Sequence, residues 1–386
     1  MRSSIITSGI VGVVVGFGGS LAVVLAAIEA LGATPGQTIS WVTAMCLAVA
    51  ATSLGLSLWY RIPIVTAWST PGAAVIAATS GVGLAAATGA FILVGVLIML
   101  TAAIRPLGRL VERIPVALAS AMLAGVLFRF VILVFDSLKS APTLVAPLLA
   151  AFLLLRLFVP AATILFLLAG GAALSVLLGL GKPWPGPPSL PQLELIAPVF
   201  DPAVLVGLGI PLYIVTMAGQ NLPGAAVLRQ AGYPVPMASA LTLTGLASVV
   251  TAALGAHTTN LAAITAAICT GPDVHPDLAR RWPAGVVYGL GYIVVAGLAS
   301  YLVALFLALP GELLKTVAGL ALLSALTGAL GAALTEPAQR FAAVLTFVVT
   351  ASGITVAGIG APFWGLAAGL AAISLDGAAR ALSWAK

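Results

Sequence analysis

Charge is what this sequence has least of. Asp, Glu, Lys and Arg make up 7% of its 386 residues, against about 25% in an ordinary soluble domain. The chain therefore has too few ionic groups to cover a water-facing surface. Histidine occurs only at 257 and 275, and cysteine only at 46 and 269. Neither type has metal-ligand spacing, and both cysteines lie in apolar stretches, so they read as inert core thiols. There is no nucleotide-binding glycine loop, no H-E-x-x-H and no serine with a base to activate it. These absences argue against an enzyme, a metal site and a bound cofactor.

What is present is apolar. Hydrophobic residues make up 61% and the mean hydropathy is +1.20. Stretches of 18 to 25 apolar residues recur from end to end, each long enough to cross a hydrocarbon core of roughly 30 Å. The first of them is too long for a cleavable signal peptide. Hydropathy and helix breakers divide the chain into segments 5–31, 38–59, 62–80, 84–104, 115–135, 141–157 and 160–181. A second set follows at 203–224, 236–254, 255–271, 284–309, 311–333, 338–358 and 361–382. The prolines between Gly181 and Pro202 block helix formation, so 182–202 reads as a linker.

The expected fold is an all-α polytopic membrane protein. It has fourteen segments in a seven-plus-seven repeat, 1–181 and 203–386. An odd number of spans per half inverts the second copy, a common transporter plan. With the N-terminus cytoplasmic, the inner side holds Arg2, Arg61, Arg105, Arg109, Arg113, Arg156, Arg229, Arg280, Arg281, Arg340, Arg380 and Lys386. The outer side holds Arg129, Lys139, Lys182 and Lys315. This positive-inside bias puts both termini in the cytoplasm of a bacterial inner-membrane protein, with the linker outside.

Segments three and ten carry the polar groups. Segment three, IPIVTAWSTPGAAVIAAT, begins β-branched and extended. Pro71 can open a short helix capped by Ser69 or Thr70. Segment ten, GAHTTNLAAITAAICTG, places His257, Thr258, Thr259 and Asn260 before another short helix, with hydroxyl and amide caps. Each is expected to be a short strand plus a half-helix. Two helix N-termini would then meet near the midplane and hold an anion through N–H groups and dipole ends. The alternative is that these residues only cap and glue helices.

Gln220 and Asn221 precede Pro223-Gly224 near the end of segment eight, and as buried amides they need partners. Glycine-rich segment one offers Phe17 and Ser20 as cavity-lining residues. Arg129 sits within an apolar run, about two thirds of the way across at 1.5 Å per residue. It is either a counter-ion for a carboxylate or a side chain snorkelling to the headgroups. His257 is either a proton carrier or a neutral link between helices.

Five stretches carry a resemblance. LWYRIPIVTAWSTPGAA (58–74), LASAMLAGVLFRF (118–130), PLYIVTMAGQNLPGAAVLRQAGY (211–233), NLAAITAAICTGPDVHPD (260–277) and TASGITVAGIGAPFWGL (350–366) occur in this order. The chain resembles the benzoate/proton symporter family (BenE-type), which is similar in hydropathy to the uracil permease and anion transporter fold. The resemblance implies a core domain from segments one to four and eight to eleven, and a gate domain from five to seven and twelve to fourteen. An elevator-type shift would carry substrate between them. Uracil-type relatives carry acidic residues on segments eight and ten, whereas this chain has Gln220, Asn221 and no carboxylate on segment ten. That departure suits an anionic substrate and leaves the proton to His257 or to the substrate's own carboxyl.

The expected site therefore joins Ser69, Thr70 and Gly72 to Thr258, Thr259 and Asn260. Gln220 and Asn221 add hydrogen bonds, and Phe17, Ser20 and Trp68 pack the ring. The expected partners are a benzoate-like anion, protons and lipid, with a homodimer allowed and nucleic acid excluded.

Overall fold

The computed structural model describes residues 3–79, 81–104, 115–160, 162–180, 183 and 190–384. Of the basic residues used for topology, Arg2, Arg105, Arg109, Arg113, Lys182 and Lys386 lie outside the described residues.

The first half runs α1 (Ser3–Ala30), α2 (Pro35–Tyr60), β1 (Thr66–Trp68), α3 (Thr70–Ala77), α4 (Leu84–Ala103), α5 (Val116–Ser140), α6 (Pro142–Phe158) and α7 (Thr163–Leu177). The second runs α8 (Pro202–Gln230), α9 (Met237–Ala252), β2 (Thr259–Leu261), α10 (Ile264–Thr270), α11 (Pro283–Gly297) and α12 (Ala299–Leu307). It ends with α13 (Gly311–Leu334), α14 (Arg340–Ser352), a hairpin of β3 (Thr355–Val356) and β4 (Ile359–Gly360), and α15 (Ala361–Trp384). Among the described residues, six helices are long and apolar enough to cross a membrane, and the pair α11–α12, bent by 66°, makes a seventh. Helices α6, α7 and α9 are apolar but shorter.

Local sequence explains several boundaries. Helix α2 opens with a capping box, in which the Thr34 hydroxyl accepts from Gln37 N–H and the Gln37 side chain accepts from Thr34 N–H. Helix α14 stops at Gly353, whose φ of +69° ends it in the left-handed conformation. The expected segment 338–358 is therefore a helix to Ser352 followed by the hairpin. Segment eight also differs from expectation: α8 passes through Pro223 and continues to Gln230. It does so by widening to a π-turn at Met217–Asn221, where Leu222 N–H donates to Met217 O, five residues back.

Antiparallel strands β1 and β2 lie inside the helical mass, with Thr66 opposite Leu261, Ala67 opposite Asn260 and Trp68 opposite Thr259. A two-stranded sheet buried in apolar surroundings has two open edges, and every edge group needs a partner. On β1 the Ser53 hydroxyl of α2 accepts from Thr66 N–H at 3.0 Å. On β2 the Ser248 hydroxyl of α9 accepts from Thr259 N–H at 2.9 Å. The Asn221 side chain accepts from Leu261 N–H at 3.0 Å. The sheet is thus held from both sides by helix side chains. Around it α2 packs on α11, α4 on α9, and α1 on α3, α10 and α11, while α5 packs on α13 and α14. Chain segment 190–201 straps one end of this assembly, with Ile196 N–H donating to Ala253 O and Val199 N–H to Ala85 O.

Candidate functional site

A cavity of about 270 Å³ opens where the strand–helix units meet α1, α7 and α13. Its polar and aromatic walls come from Ser20, Trp68, Thr70, Gln220, Thr265 and Tyr292, and α13 adds Ser324 among alanines. Among the described lining residues there is no Asp, Glu, Lys, Arg or His.

Four expected residues, Ser20, Trp68, Thr70 and Gln220, reach the cavity wall. Trp68 is held in one orientation: its indole N–H donates to Ser20 Oγ at 3.0 Å, and Ser20 donates onward to Gly16 O at 2.6 Å. Phe17 is one layer behind, edge-on to Trp68 at 6.1 Å. Ser69, not Thr70, caps α3, its hydroxyl accepting from Gly72 N–H at 3.0 Å. Gly72 has no room for a side chain, since a Cβ there would stand 2.6 Å from Leu212. Both residues build the helix start rather than line the cavity.

The second strand–helix unit departs from expectation. Its polar run belongs to the strand rather than to a cap: Ser69 N–H donates to Thr258 O, extending the ladder, and the Thr258 hydroxyl bonds that of Thr216. Thr259 is tied to Ser248, and the Asn260 amide donates to Leu261 O with its own Oδ1 left unpartnered. Helix α10 begins only after Ala263, and no side chain caps it. Thr258, Thr259, Asn260 and Asn221 are thus buried around the sheet and absent from the cavity lining. The wall on this side consists of Ala262, Ala263, Ile264 and Thr265.

His257 lies beneath the α3 start. Trp41 Nε1–H donates to its Nδ1 at 3.2 Å, and its Nε2 meets Ser69 O at 3.1 Å. An Nδ1 that accepts from Trp41 leaves the proton on Nε2, which then donates to Ser69 O. Both nitrogens are occupied and the ring is buried. Arg129 is away from the cavity. It donates to Ala78 O at 3.5 Å, at the C-terminal end of α3.

Sequence reasoning passed over Tyr292 and Thr265. Tyr292 is edge-on to Trp68 at 5.7 Å and tilted against Tyr288 at 4.9 Å, while Tyr288 donates to Thr66 O. Both tyrosines read as ordinary core aromatics of segment eleven. The usable signal was their i, i+4 spacing opposite glycine-rich segment one: a Cβ on Gly12 or Gly16 would press on Tyr288 or Tyr292 respectively.

The fold is shared with solved transporters. The transmembrane domain of a cyanobacterium bicarbonate transporter, BicA, aligns with a TM-score of 0.59 at 14% identity, over 96% of this chain and 98% of that one. The overall structure of SLC26A9 aligns with a TM-score of 0.61 at 15% identity, over 96% of this chain and 65% of that one. Identities this low speak to fold alone: the chain has the fold of these membrane proteins, with helices long and apolar enough to cross a membrane. Residues 1–375 match the benzoate membrane transport protein family, BenE, and the chain belongs to it. It is 40% identical over 365 residues to Inner membrane protein YdcO of Escherichia coli K12, covering 94% of this chain and 93% of that protein. It is 34% identical over 366 residues to Benzoate membrane transport protein of Acinetobacter baylyi, covering 95% and 93%. The resemblance drawn from the sequence is borne out: the family and the Acinetobacter relative are membrane transport proteins, and the Escherichia relative is an inner membrane protein.

Proposed function

We propose that this protein imports benzoate or a similar aromatic monocarboxylate together with protons. The observation that carries the reading is the antiparallel β1–β2 pair. It brings the starts of two short helices to one aromatic-walled cavity that has no ionised group in its described lining. A ring fits between Trp68, Tyr292 and the alanines of α13. A carboxylate is served by Thr70, Thr265 and Gln220, and by the first-turn N–H groups of α10, which no side chain caps.

The substrate binds as its carboxylate anion, and the co-transported proton is then taken up by that same carboxyl group rather than by the protein. A second proton on His257 would have to displace the Trp41 N–H from Nδ1, and no Asp or Glu is within the described cavity wall.

The chain has fourteen segments in two inverted halves, 1–181 and 203–386. The order helix, helix, strand–helix, helix and then three more spans repeats when α11–α12 counts as one bent span. Core α1–α4 with α8–α12 slides against gate α5–α7 with α13–α15 in an elevator movement. This grouping follows the packing of α2 on α11 and α4 on α9 within the core, and of α5 on α13, α14 and α15 within the gate.

Benzoate uptake into proteoliposomes under an imposed inward proton gradient tests the reading. Saturable accumulation abolished by a proton ionophore is expected. Gly19→Phe serves as the folded, blocked control, because a Cβ on Gly19 meets nothing within 4 Å and the residue lines the cavity. Uptake that neither saturates nor follows the gradient would indicate a passive channel. No benzoate uptake by inserted protein that does take up an inorganic anion or a nucleobase would move the substrate to another class.

A further inference from the structure

Both short helices end against an arginine. At the C-terminus of α10, the Arg281 guanidinium donates to Thr270 O at 2.6 Å, His275 O at 2.5 Å and Pro276 O at 3.3 Å. It is buried, and it comes from the loop that follows the same helix. At the C-terminus of α3 the arrangement is different in kind. Arg129 arrives from another helix, α5, and among the described residues makes a single bond, to Ala78 O at 3.5 Å. Its guanidinium also lies against Gly353, at the turn after α14, where any side chain would collide with it. Among the described residues no carboxylate is paired with it.

Arg129 is half-buried within an apolar helix run. Among the described residues no carboxylate offsets its charge, and an ionisable side chain so placed marks a functional position by default. Carbonyls at a helix C-terminus carry only about half a negative charge, so Arg129 remains net positive. Helix α3 has eight residues, or about 12 Å of length, and its other end faces the cavity through Thr70. We propose that Arg129 is a positioning residue for the anionic substrate: it fixes the C-terminal turn of α3 and supplies, through that helix, the positive charge that balances an anion at its N-terminal end. The inference rests on the anion-binding reading above. Two unit charges about 12 to 15 Å apart, at an effective dielectric of about 20, attract by an amount worth roughly five- to tenfold in affinity. Arg281 is the local, structural counterpart at α10.

The test compares wild type, R129Q and R129K by two readouts. The first is competition for uptake by benzoate and by benzamide, the same ring without charge. R129Q is expected to raise the benzoate constant about five- to tenfold, leave the benzamide constant unchanged, and be rescued by R129K. A merely structural arginine would move both constants together. Equal shifts for the two ligands, no shift, or failure of R129K to rescue overturns the proposal. The second readout is amide hydrogen exchange over residues 70–79, which needs no substrate. Faster exchange in R129Q, restored in R129K, is expected. Should wild type take up no benzoate, the functional reading fails on that result. Arg129 is then judged by exchange alone, and wild-type exchange in R129Q overturns it.

Discussion

His257 has a nitrogen to spare for a second proton only if Trp41 lets go of it. The two bonds at 3.2 and 3.1 Å connect α2, the start of β2 and the cap of α3 through one neutral ring. His257→Gln can in principle keep both contacts, with an amide oxygen facing Trp41 and an amide nitrogen facing Ser69. Gradient-driven benzoate accumulation is expected to survive in that variant, and its loss in stably folded protein would return the proton to the histidine. His257→Ala leaves a buried indole N–H without its acceptor, which costs about 1–3 kcal/mol, so its melting temperature is expected to fall. At this scale the sequence was legible in part. Trp68, Ser20, Thr70 and Gln220 line the cavity. Asn221, next to Gln220 in the chain, turns instead to the sheet edge at Leu261. Two adjacent amides cannot be told apart by composition. The π-turn that aims one of them into the cavity forms only when the helix packs.

The two strand–helix units solve the same problem with the same device. Ser53 on the second segment holds the first residue of β1, and Ser248 on the ninth holds the first residue of β2. Their correspondence is what the proposed inverted repeat would produce, and it does not depend on hydropathy. Ser53→Ala and Ser248→Ala each leave one buried backbone N–H unpaired, at a cost of about 1–3 kcal/mol. Matching losses of thermal stability are expected, and a loss from only one would count against equivalent roles. The interruptions themselves were legible, because Pro71 and the polar run at 257–260 break apolar periodicity. The start of α10 was not. Hydroxyl and amide residues serve both as caps and as edge partners, so His-Thr-Thr-Asn reads as a cap, while the helix starts four residues after Asn260 with none. The glycine stop at 353 was equally hidden inside an apolar run.

Across the whole molecule, the question of topology is which end faces the cytoplasm. The loop around Val274 accepts a hydrogen bond from Ser4, at the start of α1. The strap around Glu194 bonds Ser40 in α2, close after the end of α1. Helix α1 has 28 residues, about 42 Å at 1.5 Å per residue, which is the full thickness of a bilayer with its headgroups. The 273–277 loop and the 190–195 strap therefore lie on opposite faces. On the topology expected from the positive-inside bias, the first, beside Arg280 and Arg281, would face the cytoplasm. Cys46 and Cys269 are both buried, so single cysteines can be introduced against a quiet background. Gln192 and Asp273 are exposed. Gln192→Cys should react with a membrane-impermeant maleimide on intact spheroplasts, and Asp273→Cys only after the membrane is opened. The reverse pattern would invert the topology while leaving the sheet, the cavity and the arginine at the end of α3 as they are, and the direction of symport would still follow the proton gradient. Labelling of both sites from outside would show that α1 does not span the membrane, and the strand–helix junction could not then sit at the midplane.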